Sequence, residues 1–266
     1  MVGKMFAGGN YRKEEDYSIF IDKLNEPQKA EDDFFRNSEN ESASSDLYKS
    51  LLIKTQSMLF FNDMESNYGI SLKGPLLELG GGYGYLSAYI KSRQPAMEVI
   101  YSDVSPEAVK KSRQYEDFFK VKLDGKWVTS AEKTPFGDKV FSTVLFFASF
   151  HHMQDPGAVL KECARILKPG GKVLLLLEPS CPWFLKPLYN LHVRRKSIKE
   201  KYYTMSEYRS MFRNAGLSFR HACYKNFCYR WKKSSTLYYA LLSIVPDFLM
   251  GFLPCTRLIT GELPDH

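Results

Sequence analysis

Leu76-Leu77-Glu78-Leu79-Gly80-Gly81-Gly82-Tyr83-Gly84-Tyr85-Leu86 sets an apolar strand-like run and an acid ahead of a glycine cluster that opens a helix-like segment. Glycines in such a turn take backbone angles closed to other residues and let a ligand approach the main chain closely. A nucleotide-bearing cofactor is the expected occupant, and spacing narrows the choice. A dinucleotide fingerprint wants G-x-G-x-x-G. Counted from Gly80 the third position is Tyr85; counted from Gly82 the second glycine falls on Gly84 and the third position is Ser87. A P-loop needs Gly-Lys followed by Ser or Thr, and the sequence has none. The pattern that remains is acid-x-G-x-G-x-G.

Working outward, Glu98-Val99-Ile100-Tyr101 reads as a short strand ending at Ser102-Asp103, where a carboxylate can accept both hydroxyl protons of a ribose. Ser105-Pro106-Glu107 supplies its own helix start, with Ser at the N-cap, Pro at the first helical position and an acid in the first turn. Asp103 is thereby left for a ligand. Trp127 to Glu132 reads as a third strand and its exit. Thr143 to Ala148 is apolar without alternation, as a parallel strand buried on both faces requires, and runs into Ser149-Phe150-His151-His152. Asp155-Pro156 opens a helix with Val159, Leu160, Cys163, Ala164, Ile166 and Leu167 on its buried side, closed by Lys168-Pro169-Gly170-Gly171. Lys172 to Leu177 forms a fifth buried strand.

On this ordered series, from about residue 74 to 180, the chain resembles the class I S-adenosylmethionine-dependent methyltransferases, in particular the small-molecule enzymes of the ubiquinone and menaquinone biosynthesis type. The resemblance implies an α/β, Rossmann-like, doubly wound seven-stranded methyltransferase sheet with helices on both faces. Its last strands would come from about 217 to 227 and about 256 to 263. It implies S-adenosyl-L-methionine as cofactor, with Glu78, Gly80, Gly82, Gly84, Asp103, Val104, Ser130, Ala131, Glu132 and Phe147 as the cofactor-binding candidates. Two positions depart from the family pattern. Ser130 stands where an acid usually precedes Ala-Glu at the adenine, and Ser142 follows Phe141 where the family usually has Asp.

At 266 residues the chain suits one α/β domain with additions, and 15% aromatic and 44% apolar content argue against disorder. Five cysteines, Cys163, Cys181, Cys223, Cys228 and Cys255, form an odd set without a C-x-x-C pair, as expected of reduced thiols in a cytosolic protein. Met1 to Asn10 lacks the apolar core of a secretory signal. Charge is uneven beneath the net +7. Residues 1–46 hold eleven acids against six Lys or Arg, with the loop-like polar run Asn37 to Ser42; residues 185–233 hold thirteen Lys or Arg against Glu200 and Glu207. The basic stretch calls for an anionic neighbour: nucleic acid, a lipid surface or an anionic substrate. Leu237 to Leu253 is apolar but broken by Pro246-Asp247, so an added helix pair or an interfacial segment is expected, not a membrane span.

The resemblance also sets the chemistry. A sulfonium methyl is already electrophilic, so the protein must chiefly align the acceptor and exclude water. His151 and His152, just beyond the fourth strand, are the candidate bases, with backbone hydrogen bonding as their alternative role. If strand geometry persists there, the two side chains diverge, so that only one faces the pocket and the pair is no metal site.

The acceptor pocket is expected from both ends of the core. On one side stands a helix from Asp46, capped by Ser45, with Leu47, Leu51, Leu52, Met58, Leu59 and Phe61 packed inward. Tyr11, Tyr17 and Phe20 form a lid or a satellite cluster, and Trp183 lines or floors the pocket. The expected organisation is an acidic segment and helical lid over 1–70, a cofactor-binding core over 71–182, and a basic, aromatic substrate-side segment with the last strands and an apolar helical insertion over 183–266. The expected activity is methyl transfer to a small-molecule or lipid-linked acceptor, anionic or membrane-associated, in the cytoplasm or at a membrane's periphery. A nucleic-acid (RNA) methyltransferase is the first alternative and requires a continuous basic groove across the cofactor mouth. A non-catalytic cofactor-binding regulatory protein is the second, and its mouth would be closed by side chains.

Overall fold

The computed structural model describes residues 11–21, 23–37, 44–193, 200–230 and 232–265. The strands are β1 (Arg12–Lys13), β2 (Ser18–Ile19), β3 (Leu76–Leu79), β4 (Val99–Asp103), β5 (Gly125–Val128), β6 (Phe141–Phe147), β7 (Leu167–Ser180), β8 (Arg220–Cys223) and β9 (Cys255–Glu262). They join in one sheet of order β1-β2-β5-β4-β3-β6-β7-β9-β8. β5, β4, β3, β6 and β7 are parallel, while β9 runs antiparallel between β7 and β8. The chain winds from β3 towards β5, then returns to lay β6 on the other side of β3, which creates a switch point at the carboxyl ends of β3 and β6.

Alternation along these strands makes two cores. Leu77, Val144, Phe146, Val173 and Leu175 face one side, where α6 (Pro156–Ile166) and α8 (Met205–Asn214) add Val159, Leu160, Tyr208 and Phe212. Leu76, Leu145, Leu174 and Leu176 face the other, against Phe61 and Met64 of α2 (Ser44–Tyr68), Leu86 of α3 (Tyr85–Arg93) and Val109 of α4 (Pro106–Lys111). Each such side chain taken from water contributes about 1.5–3 kcal/mol, so this double layer outweighs local propensity. The remaining helices are α1 (Glu26–Asn37), α5 (Arg113–Phe119), α7 (Lys186–Val193) and α9 (Lys233–Ser243). Asp155 caps α6 by accepting the Ala158 N–H at 3.0 Å, as its sequence predicts.

Several expectations need correction. The sheet has nine strands among the described residues, not seven, because the acidic N-terminal segment adds β1 and β2 to the edge at β5. The physical reason is Lys126, only 5% exposed, which draws in the carboxylates of Asp16 and Glu116 to compensate its charge. Lys168 to Gly171 lies inside β7, whose Leu167 already pairs with Phe141. Leu59 is exposed, whereas Phe60, Phe61 and Met64 turn inward; the packing expected of Leu47 and Leu51, the Ser45 cap and the run Ser38 to Ser42 lie outside the described residues. Trp183 is 74% exposed and does not plug a pocket floor.

Ser180 of β7 pairs with Cys255 of β9, so the chain leading into β9 reaches the sheet at the carboxyl edge of the parallel strands. The elements just before Cys255 therefore share that edge with the glycine turn and the histidine loop.

Candidate active site

The glycine turn leaves β3 with Gly80, Gly82 and Gly84 at φ +66°, +57° and +69°, values that an L side chain rarely takes. Gly81 is demanded by space instead: a Cβ there would stand 2.8 Å from the Tyr101 ring and 2.9 Å from Glu78 Cδ. The Tyr101 hydroxyl donates to the Gly82 carbonyl, and the Gly81 N–H donates to the Ser102 carbonyl at 3.1 Å, which fastens the turn to β4. Glu78 is buried and accepts the Ser87 N–H at 3.1 Å together with the Ser87 hydroxyl. Burial raises its pKa to about 7 against the pull of these two donors. It therefore anchors the first turn of α3.

Asp103 ends β4 beside this turn. Its Oδ2 accepts the Gly82 N–H at 2.8 Å and its Oδ1 the Ser105 N–H at 2.9 Å. Ser105 caps α4 by accepting the Ala108 N–H at 3.0 Å, as expected. Asp103 is thus not left idle by that cap, yet each carboxylate oxygen still has a lone pair for a further donor. Burial pushes its pKa up to about 6, although the Ser105, Gly82 and Val104 amides oppose the rise. Val104 is half-buried next to it, and Phe147 ends β6 nearly enclosed.

α1 lies across this site. The Phe35 ring stands 3.7 Å from where a Gly82 side chain would begin and packs edge-on against Tyr83 at 5.0 Å. Asp32 accepts the Ser105 hydroxyl at 2.6 Å, the Glu107 N–H at 3.1 Å and Arg36 Nε at 2.7 Å. Glu31 sits near Asp103; burial and then that neighbouring charge raise its pKa to about 7, with His151 acting the other way. The Asn25 and Gln154 side chains exchange two hydrogen bonds at 3.2 and 3.0 Å and join the start of α1 to the histidine loop.

The histidine loop borders the turn directly. The Ser149 hydroxyl donates to the Leu79 carbonyl at 3.3 Å, and Met153 Cε would meet a Gly80 side chain at 3.0 Å. Strand geometry has ended by Phe150, and His151 and His152 lie on a short 3-10 turn with their rings 4.1 Å apart. The expected divergence of the two side chains is therefore wrong. Fully buried Glu178 organises this loop, accepting the Ser149, Phe150 and His151 N–H groups at 2.9, 2.9 and 3.1 Å and contacting His151 Nδ1 at 2.9 Å. Burial alone would lower the His151 pKa, but Glu178, Glu200 and Glu31 together raise it.

Ser130, Ala131 and Glu132 form a second group tied to the same loop. The Ser130 hydroxyl donates to the Glu132 carboxylate, whose other oxygen accepts the Gln154 and Asp155 N–H groups at 3.2 and 3.3 Å. Sequence reasoning did not single out Glu178, Glu31, Asp32 or Tyr101. An acid ending the apolar run Val173 to Leu177 was the available signal for Glu178. No signal marked the two acids of α1, whose place depends on tertiary packing. Among the described residues no cluster suited to a metal ion occurs.

Residues 77–175 match the family model of a methyltransferase domain. Over this stretch the chain is similar to class I S-adenosylmethionine-dependent methyltransferases. A ubiquinone/menaquinone biosynthesis C-methyltransferase of Laribacter hongkongensis is 34% identical over 131 residues, 48% of this chain and 52% of that protein. The demethylmenaquinone methyltransferase of Thermotoga maritima is 28% identical over 122 residues, 45% of this chain and 51% of the relative. The chain spans about half the length of the curated relatives it matches.

Among solved structures, a chain from the complex of the Haloferax volcanii Trm112 methyltransferase activator with a methyltransferase gives a TM-score of 0.59 at 20% identity, covering 92% of this chain and 100% of its own. Geranyl diphosphate C-methyltransferase from Streptomyces coelicolor A3(2) gives 0.57 at 14% identity, covering 78% of this chain and 77% of its own. At these identities the structures establish the fold, and the Rossmann-like methyltransferase architecture expected from the sequence is the one observed.

Proposed function

We propose that this chain transfers a methyl group from S-adenosylmethionine to a small-molecule or lipid-linked acceptor, working in the cytoplasm and in peripheral contact with an anionic membrane surface. One observation carries the reading: Asp103 and the glycine turn meet at the switch point, with 2.8 Å between the carboxylate and the Gly82 amide. In this reading Asp103 grips the ribose hydroxyls, the turn over Gly80, Gly82 and Gly84 wraps the methionine end, and Ser130 to Glu132 with Phe147 border the adenine. The cofactor supplies an electrophilic sulfonium methyl when bound. His151 takes the acceptor's proton, Glu178 holds the ring in place through Nδ1, and α1 is the lid that shuts out water. The acceptor class draws support from the quinone-biosynthesis names of the curated relatives and from the prenyl diphosphate in the name of one structural neighbour.

The nucleic-acid alternative loses support because several of the described cations of the basic stretch are engaged within the fold. Lys186 pairs with Glu207, Lys201 donates to the Met153 and Gln154 carbonyls, and the Arg230 guanidinium lies 3.4 Å from the Tyr239 ring centre. One observation favours the non-catalytic reading, namely α1 lying over the turn. Calorimetry on the full chain tests the cofactor: S-adenosylmethionine should bind in preference to NAD, and Asp103→Ala should weaken it about a hundredfold through loss of charged hydrogen bonds. Equal affinity in wild type and variant would overturn the ribose assignment. Labelled methyl transfer into a lipid extract separates enzyme from regulator, because a regulator binds cofactor with no transfer.

A further inference from the structure

Ten of the sixteen large apolar side chains exposed among the described residues fall within 183–191 and 237–252. On α9 and its C-cap, Leu237, Leu241 and Ile244 are 65%, 55% and 79% exposed at positions i, i+4 and i+7, one continuous stripe. Tyr239 and Leu242 hold the opposite face on Met250 and Cys255. Phe248, 78% exposed, and Phe252 extend the stripe through the 3-10 turn Asp247–Phe252. α7 follows the Ser180 end of β7, which pairs with the Cys255 that clusters with Tyr239 of α9, and it is preceded by the exposed Trp183. A helix apolar on both faces belongs in a setting where the outer face is also covered.

We propose that α9, the turn after it and the neighbouring α7 form a docking face for an anionic lipid bilayer. Three observations select this occupant. No described helix is long and apolar enough to cross a membrane, so the patch lies in the interface plane. Exposed Lys232 and Lys233 stand at the start of α9, where they meet anionic headgroups, and Asp247, the acid within the patch, is neutralised by Lys225 at 2.5 Å. The Ser180–Cys255 pairing also puts the patch on the ligand edge of the sheet, and the Lys201 N–H donates to the His151 carbonyl at 3.0 Å, so the segment after α7 adjoins the histidine loop. An apolar acceptor thus enters the candidate site from the bilayer. The docking face deepens the membrane contact proposed above, and this last step rests also on the methyl transfer proposed there.

Vesicle flotation tests the face. The full chain should float with phosphatidylglycerol-containing vesicles and less with pure phosphatidylcholine. Ile244→Asp combined with Phe248→Asp should cut partitioning about a hundredfold, since each side chain withdrawn from lipid forfeits an apolar burial. Lys232→Glu with Lys233→Glu should remove the preference for anionic vesicles. Unfolding midpoints confirm that the variants fold. Failure of the wild type to float, or equal flotation of the Ile244/Phe248 variant, overturns the proposal. So does light scattering that shows the patch buried between two copies and the aspartate variant monomeric. Calorimetry with S-adenosylmethionine on the same variant keeps the two readings apart: cofactor binding that survives the loss of flotation leaves the enzyme reading intact, and flotation without cofactor binding leaves the docking face intact.

Discussion

Replacing Glu31 by Gln should stabilise the protein at alkaline pH and do little at acid pH. The Glu31 side chain is 26% exposed and lies near Asp103; burial first, and that second negative charge next, raise its pKa from 4.5 to about 7. A carboxyl whose pKa rises on folding binds its proton more tightly in the folded state, so its ionisation costs folding free energy. The cost is absent below about pH 4.5, grows through the interval and is complete above about pH 7. A rise from 4.5 to about 7, at about 1.4 kcal/mol per pH unit, sets a ceiling of about 3 kcal/mol. Solvent screening of a part-exposed group reduces this to about 1–3 kcal/mol. Gln keeps the size and removes the charge. Urea unfolding should therefore show the variant ahead by about 1–3 kcal/mol near pH 8 and by less than about 1 kcal/mol near pH 5. If α1 detaches before the rest unfolds, the gain appears as slower amide exchange within Glu26–Asn37. A gain equal at both pH values, or none near pH 8, would refute the placement of Glu31 beside Asp103.

Gly81→Ala should cost about 2–4 kcal/mol because the new Cβ would press on the Tyr101 ring and on Glu78, while Gly251→Ala, with nothing within 4 Å, should be neutral. Equal unfolding midpoints for the two would contradict the close packing described. Glu178→Gln should cost about 2–4 kcal/mol, since a buried amide cannot accept from three N–H groups and His151 as a carboxylate does. It should also lower the His151 titration measured by NMR. A histidine whose pKa is raised on folding adds stability that is full below about pH 6.5 and is lost as pH climbs through the folded value, so the variant's stability should vary less across that window. An unmoved His151 titration is the adverse result.

The parallel core was legible because its signals are local. Apolar runs without alternation mark strands buried on both faces, and Ser105-Pro106 and Asp155-Pro156 mark helix starts whose hydrogen bonds the structure reproduces. The meeting of Gly82 with Asp103 was legible for the same reason, because the order strand, turn, strand, acid leaves few topologies open. What escaped depends on distant partners. β1 and β2 are two residues each and exist through Lys126 and β5, not through any propensity of their own. The two histidines read as strand-like neighbours because nothing local to them announces that Glu178, 27 residues on, gathers three amides into a turn. Trp183 read as a pocket residue from its place just past the fifth strand, yet position in the sequence does not fix how far a side chain is buried.

Asp32 ties the fate of two helices together. It reaches from α1 to the first turn of α4, accepting hydrogen bonds from the Ser105 hydroxyl and the Glu107 amide, so part of the hydrogen bonding at the start of α4 is supplied by a different segment of the chain. Swinging α1 aside strips α4 of that acceptor at the moment Asp103, two residues upstream of Ser105, becomes accessible. In the function proposed above, with α1 as the lid, admission of a nucleoside and loosening of the first turn of α4 would be one event, and a protection change at Glu107 would report on it without any probe attached to the ligand.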